Sequence, residues 1–248
     1  MARANRHLLP GHVWHITDRC HKQEFLLKFA RDRKRWVHWL YEAKRRHSLS
    51  ILNYALTSNH THLLVKDCGN QEIPASKQLL SGCVAQEYNR RKGRKGAFWE
   101  DRYHATAVAT DDHLRECLLY IDLNMVRAGV VSHPGDWSES GYAELTSKRQ
   151  RYRTIDTNAL MELLNIDKFE QIVTQRQEWI DQALDRGLGE GERDPRWTGG
   201  IAIGSYDFVE SVQLGLGYGA MKRSIVECDG SCVLREEETP YDSISISE

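Results

Sequence analysis

Apolar and polar positions alternate with a period of two over Val13-Trp14-His15-Ile16-Thr17, just after the turn pair Pro10-Gly11, and predict a first strand. The period then lengthens. From Phe25 to about His47, Phe29, Trp36, Trp39 and Leu40 can form one helical stripe, and the same stretch carries Arg31, Arg33, Lys34, Arg35, Lys44, Arg45 and Arg46. Leu49 to Thr57 and His60 to Lys66 read as two strands joined at Ser58-Asn59, a hairpin. Leu79, Leu80, Val84 and Tyr88 support a second helix from Pro74 to about Arg90. A basic run from Arg90 to Gly96 cannot be core and predicts a mobile loop, and Phe98 to Ala109 predicts a fourth strand. Asp111 or Asp112 can cap a third helix that runs to Ala128, with Gly129 just past its end.

The order β-α-β-β-α-β-α, with a hairpin at its centre, predicts an α+β fold. The expected architecture is a ferredoxin-like (split βαβ) antiparallel sheet with helices on one face, plus a smaller C-terminal appendage. After Ser138 the chain turns polar, a helix spans about Asp167 to Asp185 up to Gly187, and glycine-rich sequence leads to a short helical stretch and an acidic tail. The expected division is 1–145 and 146–248.

Charge sharpens that division. The 248 residues carry a formal net charge of −1, yet residues 1–150 hold 24 Lys and Arg against 16 Asp and Glu, and the remainder holds 10 against 19. A half at +8 beside a half at −9 points to a polyanion partner for the first, and suggests that the second could cover its basic face. All 11 histidines lie between His7 and His133. No apolar run nears the roughly 20 residues that span a bilayer, and the first residues have no apolar leader core, so a cytoplasmic, nucleoid-associated protein is expected. The six cysteines show no CxxC pair and read as free thiols.

Two features carry chemistry. On a strand, His60 and His62 point to one face and converge on one ion or phosphate, although two histidines near a polar loop are often only surface. On the third helix, His113, Glu116, Tyr120, Asn124 and Arg127 share a polar stripe between apolar flanks, as at the edge of a polar cleft. Two imidazoles and a carboxamide could hold a divalent cation, with Tyr120 one turn away as nucleophile. A phenol attacks poorly at neutral pH without help and leaves well, which suits strand transfer better than hydrolysis.

Three segments in order, Ser58 to Leu64 (SNHTHLL), Phe98 to Tyr103 (FWEDRY) and Tyr120 to Ala128 (YIDLNMVRA), resemble the single-tyrosine HUH transposases, above all the REP-associated tyrosine transposases of bacteria. Pro10 to His15 is similar to that family's opening strand, and the resemblance covers about residues 8–145. It implies a Mg²⁺- or Mn²⁺-dependent nick in single-stranded DNA through a 5′-phosphotyrosine, with His60, His62 and Asn124 as metal ligands and Tyr120 as nucleophile. It also implies substrates that are hairpin-forming palindromes beside a short guide sequence, and a chain able to act as a monomer. Two departures stand out. Thr61 replaces a bulky hydrophobe, with little effect expected on geometry, and Met125 replaces a frequent proline, which predicts a more regular helix end.

For DNA contacts the candidates are Arg31, Arg35, Arg91, Arg94, Lys95, Trp99, Arg102, Tyr103 and Arg127. Each cation can grip a phosphate or simply be solvated, each ring can stack on a base or pack in the core, and Arg127 can reach a phosphate or complement a helix end. The rival to cleavage is a domesticated protein that binds DNA hairpins without cutting them, and a more distant one binds RNA hairpins. Gly215 to Gly219 lacks the lysine and preceding strand of a phosphate loop, and Cys228 with Cys232 supplies too few ligands for zinc.

Overall fold

A computed structural model describes residues 8–147, 152–189, 194–220 and 222–236. The chain opens with β1 (Val13–Arg19), α1 (Ala30–His47), β2 (Ser50–Leu56), β3 (His60–Lys66), α2 (Glu72–Lys92) and β4 (His104–Val108). It continues through α3 (Asp112–Asp122), α4 (Asn124–Arg127), α5 (Gly141–Thr146), α6 (Thr157–Leu164) and α7 (Phe169–Asp185). The last elements are α8 (Arg196–Gly199), β5 (Ala202–Gly204), α9 (Tyr206–Leu216), β6 (Arg223–Cys228) and β7 (Ser231–Glu236).

The seven strands of the described residues form one open sheet in the order β2-β3-β1-β4-β5-β7-β6. The first four strands are antiparallel neighbours, the split βαβ arrangement that the element order predicts. Within them, directly paired residues share a face. Trp14, Ile16 and Asp18 on β1 pair with Val65, Leu63 and Thr61, and on this side α1 and α2 pack: Trp36 meets Tyr54, and Lys77 pairs with Asp18. His15 and Thr17 point the other way with His62, and there α3 lies, the Tyr120 ring edge-on to both histidines. Cover on both faces explains why β2 is buried along its whole length.

The C-terminal strands join the sheet through β5, which runs parallel to β4. Ala107 and Ala109 donate to Ile201 O and Ile203 O at 2.7 and 3.0 Å, so the edge that β4 would otherwise present is paired. β5 then pairs with β7, and β7 with β6, both antiparallel. The six cysteines are free thiols, and among the described residues no helix is long and apolar enough to cross a membrane.

Several boundaries differ from the periodicity. The first helix begins at Ala30 rather than Phe25, because Phe29 has an extended backbone (ψ 139°) and serves as its N-cap. Phe98 and Trp99 precede the fourth strand: Phe98 is core, Trp99 makes an isolated bridge with Cys20, and both pack against each other edge to face. The basic run is no open loop over its first half, since Arg90 to Lys92 end α2 and Gly93, at φ 59°, caps it. The third helix is interrupted at Leu123 (φ −77°, ψ 1°), so the expected regular end is wrong even without proline. The Arg127 guanidinium donates to the Tyr120 carbonyl and takes up an oxygen of the helical ladder, a side-chain insertion of the kind that kinks helices.

Candidate active site

β3 fixes the two histidines of the HTH segment. Their rings are 5.0 Å apart between centroids, and each is oriented by a partner at Nδ1. His60 Nδ1 lies 2.8 Å from the Asn59 carboxamide oxygen, which can only accept, so Nδ1 carries the proton and Nε2 keeps its lone pair. Thr57 Oγ1, also 2.8 Å away, holds the same edge. His62 is completely buried, with Asn124 Nδ2 2.9 Å from its Nε2 and His15 Nε2 2.9 Å from its Nδ1. An amide nitrogen only donates, so His62 Nε2 accepts, its Nδ1–H donates, and His15 Nε2 accepts. Both histidines are thus Nδ1–H tautomers, and the Nε2 lone pair of His62 accepts from Asn124.

Tyr120 sits in the last turn of α3, its ring 5.7 Å from His62 and 6.0 Å from His15. Arg127 places its guanidinium carbon 4.3 Å from the centre of the same ring. Trp197, from α8, stacks on Tyr120 at 5.8 Å with 28° between planes. Of the polar stripe, Tyr120, Asn124 and Arg127 therefore meet at the site. His113 instead reaches Asp111 and the Ser231 hydroxyl, and Glu116 is exposed.

Beneath the helix, Asp122 is buried between Asn53 Nδ2 at 2.9 Å and the Arg176 guanidinium of α7. Desolvation raises its pKa against the pull of Arg176 and Asn53. On the opposite side of the sheet, Thr61 donates to Asp18 Oδ2 at 3.2 Å, and Asp18 pairs with the buried Lys77. The hydroxyl that stands in place of a hydrophobe is thereby satisfied, and the strand geometry is kept.

Two imidazole nitrogens and the Asn124 carboxamide oxygen could hold a single divalent cation once the amide turns its Nδ2 away from His62 Nε2, with positions left open for phosphate oxygens. Imidazole donors are a poor match for Mg²⁺, which prefers oxygen. Among the described residues no group of three or more His, Cys, Asp or Glu could hold a metal.

The DNA-contact candidates are dispersed. Arg31, Arg35 and Arg91 line a cleft between α1 and α2, with Arg35 bidentate to Glu87 at 2.7 and 2.8 Å and Arg91 paired with Asp32. Arg94 folds onto the Ala97 carbonyl at 2.6 Å, and Lys95 is exposed beside it. Trp99 donates to Ser81 O at 3.0 Å, and the Tyr103 ring has Lys77 Nζ 5.6 Å from its centre. Arg102 is exposed and shares with His60, Thr17 and His104 a second cleft that opens at the histidines.

His15, Thr57 and Trp197 were missed as site residues. His15 had one signal: it stands on the predicted opening strand at the same parity as Thr17, the register partner of His62. Trp197 had none, because its place depends on a parallel pairing between distant segments.

Comparison with known proteins agrees with the resemblance. Residues 11–124 match the family described as "Transposase IS200 like". Among solved structures, the REP-associated tyrosine transposase bound to a REP hairpin is 19% identical, with a TM-score of 0.47 over 60% of this chain and 87% of that one. A candidate transposase from Deinococcus radiodurans R1 is 14% identical, with a TM-score of 0.35 over 47% and 92%. No curated protein matches the chain.

Proposed function

We propose that this chain, whose residues 11–124 match the IS200-like transposase family, nicks and rejoins single-stranded DNA beside palindromic hairpins through a covalent 5′-phosphotyrosine. The observation that carries the reading is the meeting of Tyr120 with His62 and Asn124, brought together from α3, β3 and α4 on one face of the sheet. His60, His62 and Asn124 would hold Mn²⁺ or Mg²⁺, which when bound polarises a phosphate oxygen and offsets developing charge.

Tyr120 Oη attacks the phosphorus, an oxygen–phosphorus bond forms, and the bond from phosphorus to the 3′-oxygen breaks. The phenolic proton leaves to solvent, the 3′-oxygen takes up a proton, and the 5′-phosphate stays on the tyrosine. Attack by a 3′-OH reverses the step and releases the phenol, so one site serves cleavage and joining. Arg127 favours the phenolate by its charge over the ring, and its bond to the Tyr120 carbonyl fixes the backbone that carries it. Arg102, exposed in the cleft that His60 also lines, would take a phosphate of the entering strand. Arg31, Arg35 and Arg91 lie across the sheet from Tyr120, so they serve hairpin grip rather than the reacting phosphate. The reading takes the chain as a monomer, with all four central residues from one copy.

The test is a denaturing gel of the intact chain with a labelled pool of single-stranded hairpins, with and without Mn²⁺ or Mg²⁺. A metal-dependent protein–DNA adduct that disappears in Tyr120→Phe is expected. Tight hairpin binding with neither adduct nor cleavage over a broad pool would favour the domesticated binder.

A further inference from the structure

We infer that Trp197, from outside the family-matched segment, is a positioning residue for the nucleophile: it holds the Tyr120 ring against His62. The inference rests on the phosphotyrosine reading. Tyr120 lies two residues before α3 ends, and the chain bends at Leu123. The intact turn before Tyr120 removes one χ1 well and leans the ring toward the helix N-terminus, and the choice among the remaining rotamers falls to tertiary neighbours. Among those neighbours Trp197 stacks on the ring: it is 2% exposed, lies at 5.8 Å from Tyr120 with 28° between planes, and is edge-on to His15 at 6.4 Å.

Its own placement is built. Three residues on, the Gly200 carbonyl accepts from Thr106 Oγ1 at 2.6 Å and from the His104 ring at 2.8 Å, both on β4. Gly200 itself is packed so closely that a Cβ would lie 2.7 Å from Arg196 O and 2.8 Å from Val233 Cγ1. Ile201 and Ile203 then enter the sheet ladder beside Ala107 and Ala109. The segment that presents Trp197 is thus clamped to the strand next to β1, which carries His15. Pairing of β5 with β4 and delivery of the tryptophan to the nucleophile are one structural event.

The experiment uses the intact chain with 3-fluorotyrosine at position 120. The ¹⁹F resonance reads the ring's surroundings, and single-turnover adduct formation on a hairpin oligonucleotide with Mn²⁺ reads the chemistry. Trp197→Leu keeps apolar bulk and removes the ring; Trp197→Phe keeps a ring. Since misplacement of a reacting group by about 1 Å costs on the order of a hundredfold, Trp197→Leu is expected to slow adduct formation about tenfold to a hundredfold. It should also move the resonance and leave hairpin affinity unchanged, and Trp197→Phe should recover most of the rate. An unmoved resonance, or a Trp197→Leu chain that forms adduct as fast as wild type or faster, overturns the inference. Equal slowing in both variants does so too, because it shows a packing role alone. A wild-type chain that forms no adduct overturns the function proposed above, a failure distinct from these.

Discussion

At the scale of single residues, the geometry makes a statement about protons that no motif contains. Asn59 and Asn124 offer groups of one polarity each, an acceptor oxygen to His60 Nδ1 and a donor nitrogen to His62 Nε2, and these set both imidazoles as the Nδ1–H tautomer, the form the proposed metal would require. His15 closes the relay by accepting from His62 Nδ1–H. Outer partners of this kind typically change metal affinity by about tenfold to a hundredfold. His15→Ala is therefore expected to weaken Mn²⁺ binding to the intact chain by about that factor, measured by titration without DNA. His15→Gln, whose amide oxygen can still accept, should recover part of it. Unchanged affinity in His15→Ala would show that His62 needs no such partner. The structure brings His60, His62, Tyr120 and Asn124 together, and their spacing was legible because strand and helix periods are local. His15 was not, because which strand pairs with β3 is decided by the whole sheet.

Elements explain what the stripe on the third helix concealed. Periodicity made Asp112 to Ala128 one helix, and it could not show the Arg127 bond to the Tyr120 carbonyl that accompanies the break. Nor could it show that Asp122, off the stripe, is the helix's buried anchor to β2 and α7. Removing one partner of a buried pair leaves an uncompensated charge and costs about 3–5 kcal/mol. Arg176→Met is thus expected to lower unfolding free energy by about that amount in urea titrations. Asp122→Asn combined with Arg176→Met should recover much of the loss, since an amide needs no counter-charge. A single variant as stable as wild type would mean that α7 docks on α3 by its apolar contacts alone. The predicted central hairpin and the two helices of the split βαβ unit needed no such long-range partner, and their ranges agree closely with the structure from β2 to α2.

For the whole molecule, the charge division between halves says less than the sheet does. The acidic half was legible in composition, but its strands were not, because β5 has only three residues and takes its stability from β4 and β7 on either side. Cutting after residue 147 strips β4 of its β5 partner, leaves it paired with β1 alone, and exposes the edge that β5 covered. Greater self-association is therefore expected in such a chain by light scattering, along with the rise in nonspecific DNA affinity that loss of an acidic half predicts. The same junction makes stability depend on pH. His104 is half-buried beside β5, and desolvation lowers its pKa from the ordinary 6.5 against the raising effect of its bond to Gly200 O. The unfolded chain therefore takes up a proton at this site at a higher pH than the folded chain does. This contribution to stability is complete above about pH 6.5 and is lost as pH falls through the depressed folded value. His104→Gln keeps a donor for Gly200 O and removes the titration. Its Tm should fall less than that of wild type between pH 7.5 and pH 5.5, and equal falls would place the acid sensitivity at other groups.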